Sequence, residues 1–328
     1  MIYLDHIAAL HFWRSLDAPA VVRERCPTAY VLRNCPENAR QLRRELADLP
    51  DWMPRHLMVP EARLRHLKDE CRYTCHDGPL PAGSFYRVGP SLCVASPELV
   101  FAQSARSLSL PQLVLLGDEL CGTYRCARGV AGGFPAREKP LCSRQDIDGF
   151  LARFAAAGGC KNARRSMNHV VEGSASPMES VLACRLSLPR RCGGFGLPWP
   201  LMNHRVEFDE TARLIAGCSF AVADLCWPAE RLDVEYDSDQ WHSTPERAKH
   251  DKARANAMHH MGYTVMFATK EHLSSPVELE AFASAVAKHL GVRLRRPTAA
   301  ELQKREWLDE QFRLTRTNLW FQPAPASE

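Results

Sequence analysis

Two short apolar segments in the second half of the chain flank a proline and carry several carboxylates. Residues 219–227 and 231–237 are rich in Val, Phe, Leu and Tyr, and Pro228 interrupts them. Short runs of β-prone residues around a turn residue are typical of a hairpin. We therefore expect two antiparallel strands here, and this pair constrains the fold of the surrounding sheet more than any other feature.

The acidic residues of the second segment recur at every other position. Asp233, Glu235 and Asp237 share one face of a strand, because side chains alternate along it. We expect a face with three acids to lie outside the core. Mg²⁺ typically takes one or two carboxylates from a protein, and Asp224 of the first segment plus Glu235 would supply them. The other interpretation is that these acids form the solvated face of an edge strand.

A polar helix is predicted directly after the hairpin. Thr244 followed by Pro245 marks its start, and Gly262 lies just beyond its end. Ala253 and Ala257 belong to an apolar stripe that can contact the sheet. Basic side chains on the other faces suit phosphate contacts, or simply form a solvated helix face. The basic residues are Arg247, Lys249, Lys252 and Arg254.

Two further residues near the hairpin are candidates for the same site. Glu179 follows Ser176 and Pro177 in an S-x-x-E pattern, which is typical of a helix capping box. It therefore caps a helix, contributes to the site, or does both. His242 lies just before the predicted helix start, where it is either a hydrogen-bonded structural residue or a general base.

Taken together, these residues resemble the PD-(D/E)XK restriction-endonuclease-like superfamily, and in particular its very-short-patch-repair endonuclease branch. The resemblance covers residues 174–290. It implies an α/β domain with a mixed sheet flanked by helices, which cuts DNA with Mg²⁺ or Mn²⁺ in repair or in defence against foreign DNA. It also implies that Asp224 and Glu235 bind the metal, and that Glu179, Asp237 and His242 assist catalysis.

The chain departs from the superfamily pattern at one position. Asp237 stands where the name-giving motif has a lysine that orients or activates the attacking water. Either Gln240, His242 or Lys249 takes that role, or the domain binds nucleic acid without cutting it. A looser resemblance to abortive-infection-type antitoxins, at residues 96–98 and 113–124, favours the second alternative. It implies a non-catalytic regulator with a cognate toxin or another protein as its partner.

The composition is that of an ordinary globular protein. The chain has 328 residues, of which 45% are hydrophobic and 24% charged, and its net charge of +4 argues against a generally basic nucleic-acid binder. The cysteine count is odd, at 13, and no secretory signal is recognisable at the N-terminus. We therefore expect reduced thiols, a cytoplasmic location and no membrane partner.

The predicted organisation has four parts. Residues 1–172 form a smaller mixed α/β domain of unknown role, and residues 173–292 form the nuclease-like domain. Residues 293–321 are a basic segment with a last helix, and residues 322–328 are a Pro- and Ala-rich disordered tail. Within the first part, we expect the first helix to span residues 4–16 and two short strands to occupy residues 55–59 and 91–95.

Overall fold

The computed structural model describes residues 1–15, 24–26, 32–127, 134–154, 160–237 and 245–315, without the side chains of Cys160 and of residues 245–248. The described chain is a mixed α/β protein with two mixed sheets. It divides into two compact units, of which the first contains residues 1–121 and 125–170 and the second contains residues 122–124 and 171–313. The division between Val170 and Val171 lies close to the predicted boundary at residue 172.

The first unit is built on a six-stranded sheet with the order β2-β5-β6-β1-β3-β4. Its strands are β1 (Ile2–Leu4), β2 (Glu24–Arg25), β3 (His56–Val59), β4 (Arg72–Cys75), β5 (Phe85–Arg87) and β6 (Leu92–Ala95). Its helices are α1 (His6–Arg14), α2 (Ala39–Leu46), α3 (Pro97–Ser104), α4 (Leu110–Leu120), α5 (Arg144–Arg153) and α6 (Cys160–Met167). The expectation that this unit is the smaller one is wrong, since it contains more of the chain than the second unit.

The start of the chain differs from the predicted helix. Residues 2–4 form β1, which pairs in parallel with β6 through Tyr3 and Cys93, and α1 begins only at His6. Tyr3 and Leu4 are almost fully buried. The spacing of apolar residues therefore predicts a single helix, whereas the chain forms a central strand followed by a helix. The strands predicted near residues 55–59 and 91–95 are confirmed as β3 and β6.

The second unit is built on a four-stranded sheet with the order β10-β9-β8-β7. Its strands are β7 (Leu201–Glu207), β8 (Phe220–Trp227), β9 (Leu232–Asp237) and β10 (Thr264–Thr269). Its helices are α7 (Pro177–Ser187), α8 (Glu210–Ala216), α9 (Pro245–His260), α10 (Lys270–Ser274), α11 (Pro276–His289) and α12 (Ala299–Thr315). The pairs β7–β8 and β8–β9 are antiparallel, whereas β9 and β10 are parallel.

The predicted hairpin and the helix after it are confirmed. Strands β8 and β9 pair with Leu225 opposite Val234, and both side chains are fully buried. Helix α9 contributes Ala257 and Met258 to a core that also contains Cys226 of β8. The hairpin and α9 therefore form one packed structure, and it positions the acidic residues.

Three further expectations concern the ends and the chemistry of the chain. Residues 293–313 belong to the second unit rather than forming a separate segment, and residues 322–328 lie outside the described part. The cysteines whose side chains are described are all free thiols. Among the described residues, no helix has the length and apolar character that crossing a membrane requires.

Candidate active site

A row of polar residues crosses three adjacent strands of the second sheet. Met202 pairs with Leu225 and His204 pairs with Ala223, so Asn203 of β7 lies opposite Asp224 of β8. Continuing the β8–β9 pairing by one residue places Glu235 opposite Asp224. On the outer side, Phe267 of β10 pairs with Glu235, and half of its surface is exposed. Residues directly opposite one another point to the same face, so Asn203, Asp224 and Glu235 line one side of the sheet.

The backbone holds the carboxylate of Asp224 in place. The Tyr236 N–H donates to Asp224 Oδ2 at 2.9 Å. This main-chain donor therefore bonds to a side chain of the neighbouring strand, at the point where the regular ladder between β8 and β9 ends at Leu225. Burial raises the pKa of Asp224 above its usual value, against the opposing effects of this hydrogen bond and of Arg254.

Glu179 reaches the same row from the first turn of α7. Its N–H donates to the Ser176 hydroxyl at 3.2 Å, which confirms Ser176 as the helix cap, whereas its carboxylate bonds to Ala175 instead of closing the capping box on the Ser176 N–H. Its Oε2 accepts from the Ala175 N–H at 2.9 Å and from Asn203 Nδ2 at 2.7 Å. Burial and the charge of Asp224 together raise the pKa of Glu179 to about 7. Glu179 thus belongs to the helix start and to the row of carboxylates at once.

Asp233 was expected on the acidic face but, like Asn203, was not predicted as a member of the site. Asp233 is only 1% exposed, and its Oδ1 has no hydrogen-bond partner among the described residues. The expectation that the acidic face lies outside the core is wrong at this position. Asp233 pairs with the fully buried Cys226, which shares a core with residues of α9, so the helix covers this part of the face. The available signal was its position two residues before Glu235.

Among the described residues, the carboxylates of the site outnumber the cations beside them. We call these carboxylates, Glu179, Asp224, Asp233 and Glu235, the row of carboxylates. Burial, and then the charges of Asp224 and Asp233, raise the pKa of Glu235 to about 9. Burial raises the pKa of Asp233 to about 7. Arg254 of α9 is the guanidinium that opposes this, with its Nη2 3.3 Å from Glu235 Oε2. Because buried like charges repel strongly, such a group must either retain protons or bind a cation.

Of the remaining predicted site residues, the side chains of three are described and those of two are not. Asp237 is half-buried at the end of β9, and Lys249 and Lys252 are exposed on α9. His242 and the side chain of Arg247 lie outside the described residues. The structure therefore brings together four of the predicted residues and adds Asn203 and Asp233 to them. The four predicted residues are Glu179, Asp224, Glu235 and Arg254.

The donor set fits a hard divalent cation in its chemistry. Carboxylate oxygens are the ligands that Mg²⁺ and Mn²⁺ prefer, and in the described part of the chain Asp233 Oδ1 is a buried oxygen without a hydrogen-bond partner. Among the described residues, no group of three or more Asp, Glu, His or Cys side chains is already set at metal-binding distances. The arrangement can hold a cation through one or two carboxylates, and it can retain protons at neutral pH.

Comparisons with known proteins give two relatives. Both are uncharacterized proteins of Mycobacterium tuberculosis, from strains CDC 1551 / Oshkosh and H37Rv, and each is 26% identical over 172 residues. The aligned part is 52% of this chain and 58% of each relative, so the chain spans little more than half of the curated relatives it matches. No protein-family profile and no solved structure matches the chain. The comparisons therefore transfer no function to it.

Proposed function

We propose that the protein is a metal-dependent nuclease that hydrolyses phosphodiester bonds of DNA, with a restriction-endonuclease-like second unit. The observation that carries the proposal is a group of four buried or half-buried carboxylates, three of which interact with the guanidinium of Arg254. The architecture of the second unit supports it, since a mixed sheet with helices around it is the fold that the resemblance implies. The four carboxylates are Glu179, Asp224, Asp233 and Glu235.

Asp224 and Glu235 are the residues that would hold Mg²⁺ or Mn²⁺, with Glu179 and Asp233 beside them. Such an ion lowers the pKa of a bound water and polarises a phosphoryl oxygen. The protein supplies the positions of the ligands. The Tyr236 N–H holds one carboxylate oxygen of Asp224, and the Asn203 amide holds one carboxylate oxygen of Glu179.

The cations around the row would act on the substrate. Arg254 is 37% exposed and contacts Glu235, so its guanidinium would offset the charge that develops on a phosphate bound at the metal. Lys249 and Lys252 are exposed on the same helix, where they can contact neighbouring phosphates without reading the bases. Asp237 and His242 stay proposed helpers in proton transfer, because the lysine of the superfamily pattern is absent.

The second candidate is a nucleic-acid-binding regulator that does not cut, in the manner of an antitoxin with a cognate toxin. One observation favours it. Arg254 forms an ion pair with Glu235, one of the two proposed metal ligands, and therefore competes with a cation for that carboxylate. The acid at Asp237 instead of a lysine points the same way.

Cleavage of supercoiled plasmid, linear duplex and single-stranded DNA with Mg²⁺ or Mn²⁺ separates the two candidates. We expect metal-dependent cutting by the wild type, and its loss in Asp224→Asn and Glu235→Gln. Glu207→Gln, an exposed acid on β7, is the matched control and should cut normally. A folded wild type that retards DNA in a gel but leaves it intact would favour the regulator.

A further inference from the structure

A cluster of cations lies beyond the carboxyl end of α7, away from the residues assigned to the active site. Three parts of the second unit form it: the 3₁₀ turn Arg190–Cys192, the extended segment at residues 293–297, and α12. We call it the basic cluster. Its members are Arg190, Arg191, Arg293, Arg295, Arg296 and Lys304.

One carboxylate ties the three parts together. Glu301 of α12 accepts from Arg190 Nε at 3.1 Å and from Arg295 Nη2 at 2.6 Å. Arg190 Nη2 also donates to the Arg295 carbonyl at 3.0 Å. The turn and the extended segment are therefore held against the start of α12, and the backbones that carry the cations are fixed.

A glycine allows the turn to approach α12 closely. Gly193 follows the 3₁₀ turn with a φ of +95°, and a Cβ there would lie 2.3 Å from the carbonyl oxygen of Lys304. Only a residue without a side chain fits at that distance. This contact holds the turn that carries Arg190 and Arg191 against the backbone of α12 at Lys304, so the basic cluster is a built feature of the fold and not a property of one loop.

The charge of the basic cluster is large for this protein. Six cations against one bridging carboxylate leave five positive charges, which exceeds the net charge of +4 of the whole chain. Arg191, Arg293 and Arg296 are exposed, and none of them takes part in an ion pair among the described residues. These three guanidinium groups are available to a polyanion.

We propose that the basic cluster binds the phosphate backbone of a nucleic acid, as a contact surface separate from α9. The proposal rests on the proposed function in one respect, that the protein encounters nucleic acid. Helix α7 connects the two places, with Glu179 in its first turn and Arg190 just beyond its end. Eleven helical residues span about 16 Å at 1.5 Å per residue. A strand at the carboxylates would thus meet the basic cluster about five nucleotides away, at 3.4 Å per step.

The test measures binding without divalent metal, so that it does not depend on catalysis. The full chain and the triple variant Arg191→Gln, Arg293→Gln, Arg296→Gln are titrated with a fluorescent 20-base-pair duplex in EDTA at several NaCl concentrations. Each lost phosphate contact lowers the slope of log K against log salt by about 0.9. We expect a slope lower by about 2 to 3, and affinity reduced at least about tenfold at low salt.

The matched control removes three exposed arginines of the first unit, as Arg40→Gln, Arg44→Gln and Arg87→Gln. Its loss of net charge is the same as that of the triple variant. Because its three arginines lie in the first unit, it should retain the wild-type affinity and slope. A triple variant that binds like this control would overturn the proposal. So would equal competition by polyglutamate and by DNA of the same total charge, which would identify the partner as an acidic protein.

The outcomes for the two proposals are distinguishable. DNA binding that depends on the basic cluster, together with no metal-dependent cutting, would support this inference and contradict the nuclease. Normal cutting by a triple variant of unchanged affinity would support the nuclease and contradict this inference.

Discussion

At the scale of single residues, Asn203 shows how the row of carboxylates is held. Its φ of +46° lies in the left-handed region, which asparagine adopts more readily than most residues. From this position its amide donates to Glu179 Oε2 at 2.7 Å. Strand β7 thus departs from regular geometry where Asn203 contacts Glu179 of α7. The backbone conformation of Asn203 and its hydrogen bond can be tested separately.

We predict that Asn203→Gly and Asn203→Ala differ in stability. Glycine removes the hydrogen bond but accepts the left-handed backbone, whereas alanine removes the bond and adds strain. Both should unfold more easily than the wild type, and alanine should be the less stable by about 1 kcal/mol. Urea denaturation at pH 7 measures the difference. Equal stabilities would show that β7 relaxes at this position.

A second prediction concerns Asp233 and pH. Burial raises its pKa from the ordinary value of 3.8 to about 7 in the folded protein, so the folded chain retains a proton that the unfolded chain releases. Stability is therefore lost as pH rises from 4 to 7, and the full penalty is present at pH 8. Asp233→Asn should stabilise the metal-free protein at pH 8 by on the order of 2 kcal/mol, and little at pH 4.

Thermal unfolding in EDTA at the two pH values provides the measurement for Asp233→Asn. Glu207→Gln serves as the exposed control, and its effect should be small at both. A gain that is the same at pH 4 and pH 8 would contradict the charge argument, because at pH 4 the carboxyl of Asp233 is largely protonated in the folded state.

At the scale of elements, the sequence predicted the hairpin and α9 well. Local signals were enough for these, because alternation, a proline turn and helix boundary residues are read within a few positions. The burial of Asp233 could not be predicted in this way, since it depends on α9 packing over the face from later in the chain. The role of Asn203 depends on the β7–β8 register, which no local pattern specifies.

A third prediction tests the contact between the 3₁₀ turn and α12. Gly193 and Gly291 both have positive φ, but a Cβ at Gly291 meets nothing within 4 Å, whereas at Gly193 it meets the Lys304 backbone at 2.3 Å. Gly291→Ala should cost about 1 kcal/mol through backbone strain alone. Gly193→Ala adds an overlap and should cost at least about 2 kcal/mol more. Chemical denaturation compares the two, and equal losses would mean that α12 shifts readily.

At the scale of the whole molecule, the small net charge conceals two opposite concentrations of charge. The second unit contains both the row of carboxylates and the basic cluster, and the first unit contains neither. The carboxylates have raised pKa values, so they oppose folding most above neutral pH. A divalent cation that binds only the folded state would offset this repulsion, and the protein should then be most dependent on metal at alkaline pH.

The last prediction follows from this coupling. At pH 8, Mg²⁺ or Mn²⁺ at 100 times its Kd should stabilise the folded state by about 2.7 kcal/mol, which corresponds to a rise in Tm of roughly 5 to 10 °C for a unit of this size. At pH 5 and the same metal concentration, the rise in Tm should be smaller, because protons retained by Glu235 and Glu179 compete with the cation. Asp224→Asn and Glu235→Gln should lose most of it, while Glu207→Gln keeps it. A rise of equal size in all four proteins, or one larger at pH 5 than at pH 8, would mean that the metal acts elsewhere on the chain.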